Sequence, residues 1–185
     1  MPPSRLRFAL AQLGRKPGSS DVRARLLSPA DLPGAGWRVL DDRTWRTGSQ
    51  RPAAEWSKRA AAVGSVTAWR SFLAAERSLW VQITPLASPG DAALALASVP
   101  ERLLSNTAAT VQVNAQREVE QPPLIGADAC WALQQETVGA GGAGSSSTLA
   151  WAAGTWLTIL CVGGVPQWSW GELAPVAELL TTRLS

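Results

Sequence analysis

The side chains that most often do chemistry near neutral pH are scarce in this 185-residue chain. It has no histidine, no tyrosine and only two cysteines, Cys130 and Cys161, and its two lysines, Lys16 and Lys58, stand against fifteen arginines. Without imidazole there is no Ser-His-Asp triad, no Cys-His dyad, no histidine-ligated metal and no general base of the usual kind. Two thiols cannot build a four-thiolate zinc or iron–sulfur centre. Asp41 and Asp42 are adjacent and point apart on a strand, while Glu118 and Glu120 share a face beside Arg117 and read as solvated edge charges. Ser-Lys catalysis would need Lys16 in a tail or Lys58 on an exposed helix. No catalytic residue, metal ligand or cofactor is expected, and the chain reads as a non-enzyme.

Three other features are candidates for binding. The run Gly139 to Ser147 (Gly-Ala-Gly-Gly-Ala-Gly-Ser-Ser-Ser) lacks the Lys-Ser/Thr ending and the following helix of a phosphate loop, so a flexible hairpin loop is expected. Hairpin registers place Cys130 level with about Thr155 and Cys161 level with about Ser146 on strands two apart, too far for easy bridging. Buried thiols are the expectation, with a disulfide the alternative. Ten tryptophans are many for this length, and strand packing accounts for most of them. Trp168 and Trp170, beside Gly163-Gly164-Val165-Pro166, are expected to be partly exposed, and they and Trp45 are the candidates for a functional aromatic patch.

Charge is polarised along the chain. Residues 1–90 hold fourteen Arg/Lys and six Asp/Glu, a net of +8, whereas residues 91–185 hold three and eight, a net of −5, summing to the overall +3. Arg5, Arg7, Arg15, Lys16, Arg23 and Arg25 face only Asp21 in the first 25 residues. A basic arm or linker over 1–25 is expected, with Arg5, Arg7, Arg15 and Lys16 available to an acidic protein or an anionic membrane surface. Nucleic acid is disfavoured, because the acidic second half repels a polyanion. No stretch is apolar enough to span a bilayer and no signal core follows Met1, so the chain reads as cytoplasmic as it stands, or envelope-associated if an export signal precedes it.

The elements that position these groups follow from pattern. Gly14 to Ser20 is punctuated as a linker, and a single domain over 26–185 follows it. Trp37 to Leu40 starts a strand. Residues 52–62 are helix formers stopped by Gly64. Val66 to Leu73 and Leu79 to Leu86 form a hairpin. Ser88-Pro89-Gly90-Asp91 starts a helix that buries Leu94, Ala97, Val99, Leu103 and Leu104, and Pro100 should kink or split it. Strands are expected over 111–119, 129–138, 148–152 and 155–162; the last is apolar on both faces and so internal. Ser169-Trp170-Gly171-Glu172 caps a final helix with Leu173, Val176, Ala177, Leu180 and Leu184 on one stripe. The class is α+β, a mainly antiparallel sheet flanked by helices.

The phrase Leu27-Ser28-Pro29-Ala30-Asp31-Leu32-Pro33-Gly34, with Gly36-Trp37, resembles the opening of actinobacterial sensor-type and lipoprotein domains. The later order of hairpin, Asp91-Ala92-Ala93 helix, strands and C-terminal helix resembles the PsbP-like α/β/α sandwich. The resemblance implies an accessory, scaffold or ligand-binding role near the cell envelope and carries over no catalytic residue. The chain lacks the lipobox cysteine of exported members near its start. Together these readings point to an accessory or adaptor acting through a protein partner. Two alternatives are a small hydrophobic ligand or lipid held in a Trp-lined cleft, and contact through the basic arm.

Overall fold

A computed structural model of the protein describes residues 18–48, 54–108, 112–119, 126–139 and 142–185. The order is α1 (Ser19–Ala24), a 3-10 turn (Pro29–Asp31), β1 (Arg38–Arg46), α2 (Glu55–Ala62), β2 (Val66–Ala74) and β3 (Arg77–Pro85). There follow α3 (Pro89–Ala97), α4 (Val99–Ala108), β4 (Gln112–Glu118), β5 (Ala129–Gly139), β6 (Gly142–Ala153), β7 (Trp156–Gly164) and α5 (Trp170–Leu184). The α+β class is as the sequence implies. All seven strands lie in one antiparallel sheet ordered β1-β2-β3-β7-β6-β5-β4. Two meanders therefore meet where β3 pairs with β7, and the α3–α4 crossover carries the chain to the far edge. The central strands are the most apolar, since both of their faces are covered.

Helices cover both faces, and the strands sort their side chains by parity. On β6, Leu149 and Trp151 enter one core while Ala150 and Ala152 enter the other. The first core packs Val22, Leu26, Leu27, Phe72, Val81, Ile83 and Leu160 against Leu173, Val176, Ala177, Leu180 and Leu184 of α5. The second sets Ala60 of α2 and Ala92, Ala95, Leu96 and Val99 against Leu157 and Ile159. Each fully buried Leu or Ile contributes about 1.5–3 kcal/mol through removal from water. Small side chains in the second layer let α3 lie close to the sheet.

The helix starts obey their caps. Ser88 Oγ accepts from Asp91 N at 3.1 Å, and Ser169 Oγ accepts from Glu172 N at 3.2 Å. Pro100 does split the expected long helix, which restarts at Val99. Its buried face differs from expectation: Leu94 is 55% exposed and Ala97 is exposed, because the helical stripe runs through Ala92, Ala95, Leu96 and Val99 at spacings of three and four.

Two further expectations need correction. The described part of the glycine-rich run is strand, with Gly139 ending β5 and Gly142 to Ser147 opening β6, and the two strands pair in register from Ala129↔Ala152 to Gly139↔Gly142. The backbone ladder with β5 outweighs the weak strand preference of glycine there, and β7 adds a second ladder from Ser146 onward. Ser19 and Ser20 do not belong to a linker but begin α1, whose Val22 is fully buried. Residues 1–17 of the expected arm lie outside the described residues.

One glycine is required by close approach. Gly164 ends β7 with φ +111°, and a Cβ there would stand 2.0 Å from the Glu76 carbonyl oxygen. Only glycine lets β7 end against the β2–β3 turn.

Candidate recognition cleft

Residues of α1, the loop after it, β1, β2 and α5 surround an open cleft of about 680 Å³. Ser19, Ser20, Arg23 and Ala24 of α1 form one wall, and Leu26, Ser28 and Asp31 of the following loop form another. Thr44 of β1, Arg70 of β2 and Arg183 at the end of α5 close the remaining side. Helix α1 is only six residues long, too short to persist by itself. Val22 and the following Leu26 and Leu27 pin it to the sheet, and its serines are left at the rim.

Ion pairs shape the walls. Asp42 Oδ2 accepts from Arg23 Nε at 2.9 Å and from Arg70 Nε and Nη2 at 3.0 and 2.6 Å, while Arg70 Nη1 donates to the Leu27 carbonyl at 2.6 Å. Arg70 and Asp42 are largely buried, but the Arg23 side chain is 53% exposed. Asp31 receives a two-pronged bond from Arg183 Nη1 and Nη2 at 2.9 and 2.7 Å, and it also accepts from the Ser28 N–H and Oγ. Burial pushes the Asp31 carboxyl up, but Arg183 and the Ser28 donors outweigh it and hold the group at about 2. Arg25 supports this corner from behind, donating to the Arg183 carbonyl with its guanidinium 5.2 Å from the Trp156 ring. The cleft is thus rich in cations and hydroxyls, with Asp31 the one carboxylate on its lining.

The tryptophans single out no common patch. Trp168, expected to be partly exposed, is buried at 3%. It stacks between Trp37, 5.6 Å away, and the Arg77 guanidinium, 4.0 Å above its ring, and Arg77 Nη2 donates to Glu172 at 3.0 Å. A cation and a second ring desolvate it, which proximity to flexible-looking residues in sequence does not reveal. Trp170 is half-buried on the same core, and Trp45 is half-buried near the opposite end of β1, level with Thr67. None of these rings lines the cleft, so a Trp-lined pocket does not describe it. Arg5, Arg7, Arg15 and Lys16 lie outside the described residues.

The cysteines form no disulfide. Cys130 is level with Trp151 and Cys161 with Thr148, registers a few residues from those expected, and strand parity sends the two thiols to opposite faces. Contrary to the expectation of two buried thiols, Cys130 is exposed, because it lies near the start of β5, while Cys161 is partly covered. Partial burial raises Cys130 above the ordinary thiol range, and burial raises Cys161 against hydrogen bonds with Thr148 and Trp80. Among the acids, Asp41 pairs with Arg43, Glu55 with Lys58 and Asp91 with Arg59. Sequence reasoning missed the cleft itself. The Ser28 to Asp31 spacing is a visible capping signal, but nothing in sequence links Asp31 to Arg183.

No family model and no curated protein matches the chain. Among solved structures, it is similar to the extracellular domain of PknH from Mycobacterium tuberculosis, with a TM-score of 0.55 and 11% identity over 91% of this chain and 98% of that one. It also matches a Mycobacterium smegmatis protein described as a Rv0999 ortholog, with a TM-score of 0.41 and 9% identity over 82% of this chain and 88% of that one. The first likeness shows a shared fold with an actinobacterial extracellular domain.

Proposed function

We propose that the chain is a non-enzymatic recognition domain, an accessory or sensor-type module that acts by binding. The cleft walled by α1, the β1–β2 edge and the end of α5 carries this reading, because it is concave, its arginines are held by carboxylate partners and exposed hydroxyls line its rim. A chain without histidine, in which Asp31, Asp41, Asp42, Glu55, Asp91 and Glu172 are held in ion pairs, offers a bound molecule contacts rather than a general base. The shared fold with an extracellular domain supports an envelope-associated setting, and helices on both faces of one antiparallel sheet agree with a PsbP-like sandwich. The domain would span 26–185 together with the packed α1, with the basic residues Arg5, Arg7, Arg15 and Lys16 as attachment points on an acidic partner or membrane. Ligand-observed NMR with a small-fragment library tests the reading. Binders displaced by Ser20→Trp, which fills the cleft from its rim, are expected; a library whose binders all ignore that substitution refutes it.

A protein partner has its own supporting observation. Val39, Leu40 and Val165 are 41%, 54% and 62% exposed. They sit at the end of the sheet bearing the β2–β3 turn, where Arg38 pairs with Leu73 and Arg77 with Gly164. Exposed apolar side chains gathered at one end fit a docking surface. Leu40→Glu should then abolish association without touching the cleft.

A further inference from the structure

We infer that the cleft takes a ligand through a phosphate monoester group, with Arg23 as its principal contact and Ser19, Ser20 and Thr44 as supporting donors. This rests on the reading of the cleft as a recognition site and specifies its ligand. The lining is asymmetric in hydrogen-bonding sense: three guanidiniums and four hydroxyls face one carboxylate, Asp31, and that carboxylate is already saturated by Arg183 and Ser28. The second acid, Asp42, is occupied by Arg23 and Arg70. With Arg23, Arg70 and Arg183 against Asp31 and Asp42, these groups sum to one positive charge, while Arg25 behind Arg183 and Asp21 on α1 offset each other.

The donors differ in what they have left to offer. Arg70 is 16% exposed and spends Nε, Nη1 and Nη2 on Asp42 and Leu27, so it serves the fold. Arg23 is 53% exposed and bonds Asp42 through Nε and Nη2; its Nη1 has no acceptor among the described residues. Ser19 and Ser20 on α1 and Thr44 on β1 are exposed and face the same space from two elements. A planar carboxylate is best met by one in-plane fork, as in the Asp31–Arg183 pair. Donors converging from two walls suit a tetrahedral group with three acceptor oxygens, and charge-assisted bonds to it are the strong ones.

The test is calorimetric titration of the full chain with inorganic phosphate and with glycerol 3-phosphate. In parallel, flotation is measured with phosphatidylcholine vesicles carrying or lacking phosphatidic acid. Arg23→Gln should weaken binding about tenfold, the loss of one charge-assisted contact. Ser20→Glu should abolish it by setting a carboxylate beside Arg23, one turn away on α1, and Arg46→Gln, an exposed arginine outside the cleft, should leave it unchanged. Binding should fall as sodium chloride rises. Binding of the soluble esters identifies a free phosphomonoester as the source, and binding only of phosphatidic acid vesicles identifies a lipid headgroup. Equal losses in Arg23→Gln and Arg46→Gln, or no phosphate binding at millimolar concentration, overturn the inference. If fragments blocked by Ser20→Trp still bind in that case, the recognition reading stands and only the ligand class falls.

Discussion

Asp31→Asn isolates one charge at the corner where the loop after α1 meets the end of α5. The substitution keeps the side-chain shape and an acceptor for Ser28, and it removes the carboxylate that Arg183 grips from 152 residues away. In the folded protein the group titrates at about 2 against an ordinary 3.8. At 1.36 kcal/mol per pH unit, that difference converts to roughly 2.5 kcal/mol. The Arg183 side chain is 32% exposed, so solvent screening brings the expected loss at pH 7 to about 1–1.5 kcal/mol, or a Tm lower by about 2–5 °C. A lowered folded pKa places the stabilisation above 3.8 and removes it as pH falls from 3.8 toward 2. The gap between wild type and Asp31→Asn should therefore be full at pH 7 and close at pH 2. Urea unfolding followed by tryptophan fluorescence at several pH values measures it. A gap that is the same at pH 7 and pH 2, or absent at both, refutes the ion-pair reasoning in favour of packing alone.

Three further outcomes are expected. Gly164→Ala drives a Cβ to 2.0 Å from a backbone oxygen, whereas Gly154, at φ +54°, has open space around it; thermal melts should show a loss of about 3 kcal/mol or more for the first and about 1 kcal/mol for Gly154→Ala. Arg77→Met removes the cation over Trp168 and the bond to Glu172, and should cost about 1–2 kcal/mol with a shift in Trp168 emission; unchanged stability would contradict the stacking account. Iodoacetamide should label the exposed Cys130 well before Cys161, whose thiol is pushed up by burial and bonded to Thr148 and Trp80. Mass spectrometry reads the order, and equal rates in the folded state would count against it.

Features governed by neighbours a few residues apart were legible without coordinates. The caps at Ser88 and Ser169, the break at Pro100 and the α5 stripe each depend on contacts within a turn or two, and each formed. Leu94 was misplaced because Leu94-Ala97 and Ala92-Ala95-Leu96-Val99 both suit a helical period, and only the sheet beneath selects the stripe. The glycine run failed in the other direction: local preference favours a loop, and the pairing of β5 with β6 overrides it. Trp168 looked exposed because Gly163 to Pro166 precede it, while the residues that cover it, Trp37 and Arg77, are remote in sequence. The cleft was out of reach for the same reason, since its walls come from residues 19–31, 44, 70 and 183.

By itself the sequence determined the class of the fold and the chemistry the chain lacks. Periodicity reports burial along one element, and the absence of histidine holds whatever the fold. The basic first half and acidic second half were also plain in it. Tertiary structure decided what that polarity does. Pairing β3 with β7 joins the two meanders, α5 returns along the first core, and Arg183, from the acidic half, closes on Asp31 near the N-terminus. Arg23 and Arg70, from the basic half, converge on Asp42 in the same corner. Charges far apart in the chain become a cleft only when the sheet closes the distance, because ion pairs act over a few ångströms and sequence carries no distance.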